Sequence, residues 1–211
     1  MSEPNANAIK NPSRPATNVR TITSLAMLAA IAYVVMLLSK MLPQVSGFLQ
    51  MDLKDTVICI GAFLFGPLSA AVISIVVAVV EMFTVSDTGP IGCIMNVLAT
   101  CAFCCTAAFV YKKFHTRKGA VIGLALGTVI SVIVSIFTNI YVIFPIYIKL
   151  YGMNWEGILE MCSAVNPWIT SIPTMVAFSI VPFNLISRVV TSLITLLVYK
   201  KLSIPMKKFA N

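Results

Sequence analysis

The chain has 211 residues, of which 59% are hydrophobic and only 10% charged, with a mean hydropathy of +0.95. A soluble domain is about 45–50% apolar and about 25% charged, so the composition excludes one and defines an integral membrane protein built as a single helical bundle. The net charge of +8 would point to nucleic acid in a soluble chain. Here it reads as a bias among the loops between membrane spans, so the expected surroundings are the lipid bilayer and no nucleic acid.

Residues 1–20 (MSEPNANAIKNPSRPATNVR) are polar and rich in Pro and Asn, with no cleavable apolar core. They are expected to form a disordered tail. A bilayer core of about 30 Å needs about 20 helical residues, and stretches 21–42, 91–111, 120–145 and 174–199 supply them. Stretch 56–85 is awkward. At 1.5 Å per residue it makes roughly 45 Å of helix, long for one crossing and short for two.

Charge settles the count. Lys10, Arg14 and Arg20 precede the first span, Lys112, Lys113, Arg117 and Lys118 crowd KKFHTRKG, and Lys200, Lys201, Lys207 and Lys208 close the chain. Cytoplasmic loops carry the excess of Lys and Arg, which places all three clusters inside. The other loops hold Asp52, Asp55, Asp87, Glu156 and Glu160 against Lys40, Lys54 and Lys149. For this parity to hold, 56–85 must cross twice, turning at Gly66-Pro67. The expectation is an all-α fold of six transmembrane helices over 21–202, with both termini cytoplasmic and residues 203–211 as a basic tail. Its second helix, 56–65, is only about 15 Å long.

The stretch MDLKDTVICIGAFLFGP (51–67) then poses a problem. A helix that short cannot start at the membrane surface, so the segment before it must dip inward. Irregular backbone at that depth survives only where protein buries it or a wet cavity receives it. Asp52, Lys54 and Asp55 therefore read as the wall of an outward-facing polar cavity. The alternative is a surface loop with Asp55 as a helix N-cap. Farther along, WEGILEM within loop 151–171 reads as a short interfacial helix with Trp155 near the headgroups.

Of six cysteines, five lie in apolar segments and Cys162 in a loop, which is no disulfide framework. Cys101, Cys104 and Cys105 share a helical face in TCAFCC. Packing by small polarisable side chains is the preferred reading over a metal site, with no His or carboxylate near in sequence.

Polar groups inside a membrane are expensive and usually face a cavity or a partner. Counting helix rise places Glu81, Asn96, Asn139 and Asn184 in one outer-half layer on four helices. That convergence favours a pocket open to the outside over separate interhelical hydrogen bonds. Arg188, one turn below Asn184, has three readings: a pair with Glu81, a ligand contact, or snorkelling. Without a cation nearby, Glu81 would be protonated. Ala26 and Ala30 on the first helix have the small-residue spacing that admits a second helix, within the bundle or from a partner.

The sequence holds no GxxxxGK[ST] loop, no HExxH and a single His115, so neither ATP hydrolysis by that route nor enzyme chemistry is expected. Six short-looped helices, the small-residue motif and the absence of an ATPase resemble the substrate-binding S components of energy-coupling factor (ECF) vitamin transporters. FLQMDLKD followed by IGAFLFGPLSA (48–70), TNIYVIFPIY (138–147), IVPFNLI (180–186) and SLITLLVYKKL (192–202) look like the riboflavin-binding branch. The resemblance spans residues 22–202.

It implies a capture protein for riboflavin in the bacterial cell membrane. Riboflavin would be cargo rather than a cofactor, and the protein would work with a transmembrane coupling subunit and two cytoplasmic ATPases. Phe48, Leu49, Met51 and Asp52 match the loop that covers the ligand. Asn139 and Asn184 match polar positions that hydrogen-bond the flavin, and Ala26 and Ala30 match the AxxxA face that meets the coupling subunit. One position departs from the pattern. Ser187 stands where such members carry Lys, which leaves Arg188 as a substitute from a shifted angle, or another vitamin as substrate. Readings from other classes are a stand-alone ion-coupled transporter and a membrane assembly protein without a ligand. A flat, uncharged ring with a polyol tail suits a pocket of apolar walls and a few amide partners.

Overall fold

The structure is a computed structural model that describes residues 19–41, 51–86, 89–152, 154–164 and 166–209. Among these residues every regular element is helical. Helix α1 is Val19–Ser39, α2 is Lys54–Phe65, α3 is Pro67–Thr84, α4 is Gly89–Phe114 and α5 is Arg117–Thr138. A π-helical turn, Asn139–Ile143, carries α5 into α6 (Phe144–Tyr151). Then come α7 (Trp155–Ser163), α8 (Ile172–Met175), a second π turn (Val176–Ile180) and α9 (Val181–Phe209).

Five helical runs are long and apolar enough to cross a membrane: Val19–Ser39, Pro67–Thr84, Gly89–Phe114, Arg117–Ile146 and Ile172–Tyr199. The stretch 56–85 does break in two. Gly66 is the whole connection between α2 and α3, with φ 94° and ψ 174°. Only Gly tolerates that backbone readily, and Pro67 then takes the first turn of α3, where its missing N–H costs nothing. The remaining boundaries shift modestly. Val19 and Arg20, expected in the leading tail, open α1, and α9 runs on through residues 203–209. The interfacial helix forms as α7, and Cys162, expected in a loop, lies within it and is fully buried.

At 12 residues, α2 is about 18 Å long, well short of a bilayer core. It is nonetheless the hub of the bundle, packing against α1, α3, α4 and α9. Its inner residues Ile58, Cys59, Ala62 and Phe63 join Ala29, Ala32, Ile73, Phe103, Cys104 and Ala107 in the main core. At one end of the bundle, Phe63 stacks 4.7 Å from Tyr111, whose hydroxyl lies 3.0 Å from that of Tyr199. A second core of Phe144, Cys162, Ile169, Met175 and Ile180 closes the other side of α5 and α9. All six cysteines are free thiols, and Cys59 and Cys104 approach sulfur to sulfur at 3.1 Å between α2 and α4.

The most extensive helix contact joins α4 and α5. It depends on a GxxxG pair, Gly123 and Gly127. A Cβ on Gly123 would lie 2.6 Å from the Ala107 carbonyl oxygen, and one on Gly127 would lie 2.6 Å from that of Phe103. Between apolar helices in lipid, close backbone approach of this kind replaces the hydrophobic effect as the source of association. Gly127→Val is expected to cost about 1–3 kcal/mol through overpacking, read as a lower melting temperature in detergent. Ala125→Val, on the exposed face of the same helix, should leave melting unchanged.

Candidate functional site

The site begins where the chain enters α2. The carboxylate of Asp52 accepts the backbone N–H of Lys54 at 2.9 Å and also pairs with the Lys54 ammonium. This fixes the first turn of α2, whose N-cap is Leu53 with no side-chain cap. Asp55 is therefore inside the helix and is not its N-cap, contrary to the alternative drawn from sequence. The Leu53 N–H donates to Ser39 Oγ at 3.1 Å, tying the entry to the end of α1.

Lys54 is 1% exposed, and its Nζ lies 3.3 Å from Glu81 Oε2 on α3. Glu81 Oε1 faces Lys40 Nζ at 3.5 Å, and Asn96 Nδ2 on α4 donates to Glu81 Oε2 at 3.3 Å. Glu81 thus has two cations and an amide around it. On the next face of α2, the Asp55 carboxylate pairs with the Arg188 guanidinium of α9 and accepts Thr100 Oγ1 of α4 at 2.7 Å. The guanidinium also lies 5.1 Å from the ring centroid of Phe103. Arg188 therefore pairs with Asp55 and not with Glu81, the partner considered from sequence. Held by a carboxylate and a ring, it lies at the helix interface beside Ser187, which is itself buried.

The arrangement is charge-balanced. Lys40, Lys54 and Arg188 stand against Asp52, Asp55 and Glu81. Burying an ion costs several kcal/mol unless it is paired and hydrogen-bonded, and here each ion is.

The two asparagines farther along behave differently. Asn139 Nδ2 donates to the Ser135 carbonyl at 2.7 Å, and Asn184 Nδ2 donates to the Ile180 carbonyl at 2.8 Å. Neither bond crosses to another helix, as the alternative reading required. Each asparagine flanks a π turn, Asn139 opening the first and Asn184 following the second. Such turns are rare and often sit at functional sites. An open depression of about 560 Å³ lies at the end of α3, lined by Lys40, Met82, Phe83, Thr84, Val85 and Ser86. Neither Asn139 nor Asn184 lines it. Met51 and Asp52 are half-buried, while Phe48 and Leu49 lie outside the described residues.

On α1, Ala29, Ala32 and Met36 are buried in the bundle, whereas Ala26 and Ala30 are exposed. Among the described residues the AxxxA pair therefore faces away from the bundle core. Sequence reasoning missed Thr100, Phe103 and Ser39. The first two sit three residues apart on one face of α4, and a Thr within an apolar span was the available signal.

Residues 20–199 match the family model of the ECF transporter substrate-specific component, and the chain belongs to that family, whose members are transport components rather than enzymes. Over 187 residues it is 30% identical to the riboflavin transporter RibU of Staphylococcus aureus, covering 88% of this chain and 91% of the relative. It is 27% identical over 186 residues to the riboflavin transporter FmnP of Bacillus subtilis, covering 87% and 92%. A solved structure of the S component of a bacterial ECF transporter superposes with a TM-score of 0.68 at 28% identity, over 89% of this chain and 98% of that one.

The Asp55–Arg188 pair makes a direct energetic prediction. Arg188→Met or Asp55→Leu alone should cost about 3–5 kcal/mol by stranding the other ion, and the double variant should recover most of that loss. Melting of the four proteins in detergent checks this; simply additive losses would mean the pair is not an energetic unit.

Proposed function

We propose that this chain captures riboflavin at the outer face of a bacterial plasma membrane and delivers it through a transmembrane coupling subunit driven by two ATPases. In this reading the chain crosses the membrane six times, α2 included, with both termini cytoplasmic. The observation that carries the substrate is the similarity to riboflavin transporters over about nine-tenths of the chain's length.

The site chemistry supports the same ligand. The ion pairs leave no net charge to attract an acidic vitamin, and two amides with spare hydrogen-bonding capacity, Asn139 and Asn184, suit an uncharged ligand. An asparagine amide has two N–H donors and a carbonyl acceptor. Asn139 and Asn184 each commit one donor to a backbone carbonyl, which orients the amide and keeps a donor and an acceptor for the ligand. An edge of that kind complements the donor–acceptor pattern of the flavin ring. Glu81, Lys54 and Arg188 act in this reading as the frame behind the pocket, Asn96 joins the frame through Glu81, and Phe48, Leu49, Met51 and Asp52 cover the ligand. The exposed Ala26 and Ala30 are the face for the coupling subunit, because small residues let another helix approach closely.

The first test is titration of the purified, stripped protein with riboflavin, followed by flavin fluorescence. Stoichiometric quenching is expected; no response to riboflavin, with binding of another vitamin, would keep the family and overturn the substrate. Asn184→Ala should weaken binding about 2–10-fold, the worth of one net hydrogen bond, without lowering the melting temperature. Ala26→Arg should leave riboflavin binding intact and abolish uptake in cells that depend on exogenous riboflavin. Normal uptake would move the docking face elsewhere.

A further inference from the structure

The turn between α4 and α5 carries the densest charge on the chain, and nothing in the capture mechanism uses it. Lys112 and Lys113 end α4, Arg117 and Lys118 begin α5, and all four are exposed. None is among the ion pairs of the described residues, whose carboxylates Asp52, Asp55 and Glu81 are engaged by Lys40, Lys54 and Arg188. Sequence position explains why: residues 89–155 contain no Asp or Glu at all. The four cations sit at the turn between two helices long and apolar enough to cross a membrane. Phe109 and Phe114, exposed on the last turns of α4, flank them, and Lys113 Nζ lies 5.9 Å from the Phe114 ring centroid. Aromatic rings and basic tips stacked in this order follow the profile of a bilayer from acyl chain to phosphate.

We propose that the α4–α5 turn is a binding surface for anionic phospholipid headgroups, with Lys112, Lys113, Arg117 and Lys118 taking the phosphates and Phe109 and Phe114 lying against the acyl chains. The assignment rests on charge complementarity and on position at the membrane interface. Basic residues beside a span are drawn to anionic lipid cumulatively, each adding to the attraction, and the effect is screened by salt. A basic turn without carboxylates also has no internal partner to compete with lipid. The surface is independent of riboflavin capture.

The test uses the full-length protein in mixed micelles of phosphatidylglycerol and phosphatidylcholine, with bound lipids counted by native mass spectrometry. The parent protein should retain phosphatidylglycerol in preference to phosphatidylcholine. The variant Lys112→Gln, Lys113→Gln, Arg117→Gln, Lys118→Gln should lose that preference at least tenfold. A charge-keeping variant with Lys and Arg exchanged at the same four positions should retain it, and this separates loss of charge from loss of fold. Lys149→Gln, exposed and outside the turn, should change nothing. Equal retention of the two lipids by the parent would overturn the proposal. So would a preference that survives the glutamine variant, or one that vanishes in the charge-keeping variant. Excess inorganic phosphate should not displace the lipid; displacement would assign the turn to free phosphate instead.

Discussion

A helix of only 12 residues that begins with two buried, oppositely charged side chains is the constraint around which this bundle is arranged. Lys54 and Asp55 are adjacent residues of α2 and point about 100° apart around its axis. Each is nearly inaccessible to solvent. Neither ion is tolerable there alone, so each demands an opposite charge on a different neighbour. Glu81 on α3 meets Lys54, and Arg188 on α9 meets Asp55. Two adjacent residues thereby fix the rotation of α2 against two other helices. The apolar seam of Ile58, Cys59, Ala62 and Phe63 is nonspecific by comparison, since many rotations would bury such side chains about equally well. Whether these ions add net stability over apolar replacements is secondary; what they supply is a single register for a short helix that has little length with which to define one.

Fixing α2 also fixes what surrounds it. Asp52 closes on Lys54, and the backbone of Leu53 is held by Ser39, so the chain entering α2 is tied to the end of α1. Asn96 and Thr100, one turn apart on α4, reach the two carboxylates Glu81 and Asp55 respectively. Helices α1, α3, α4 and α9 therefore share one polar layer with α2 at the centre. Asn184 stands one turn from Arg188 on α9, so the pair that locks α9 to α2 also sets the position of that asparagine.

Much of this architecture is legible in the sequence because its signals are local. Long apolar runs mark the long helices and Gly66-Pro67 marks the break. Helix rise gives depth, and of the four residues it places together the structure joins Glu81 and Asn96 by a hydrogen bond. The pairing of the charges was not legible. Depth does not say which way a side chain faces, and Asp55 and Arg188 are 133 positions apart, so Glu81 was an equally reasonable partner for the arginine. The π turns are invisible to periodicity because one extra residue in a turn shifts the apolar face only within the tolerance of the pattern. The Gly123–Gly127 pair was readable in principle, but in an apolar span small residues are common, and only the approach of the α4 backbone distinguishes these two.

The same reasoning explains the unusual outer face of α1. A lipid-facing position gains from a large apolar side chain, which covers backbone and packs against acyl chains, and most exposed positions of this bundle follow that rule with Ile, Leu, Val and Phe. Alanine at an exposed site gives up that gain. Two alanines at i and i+4, on a helix whose other face already supplies Ala29, Ala32 and Met36 to the core, leave a smooth strip of backbone turned away from the bundle. At Gly123 and Gly127 small residues on α5 serve the same end, and there another helix fills the strip. The α1 strip, by contrast, is exposed among the described residues. Small residues at this spacing lower the steric barrier to a neighbouring helix, so the strip differs from the rest of the exposed surface in what it can pack against and not only in its size.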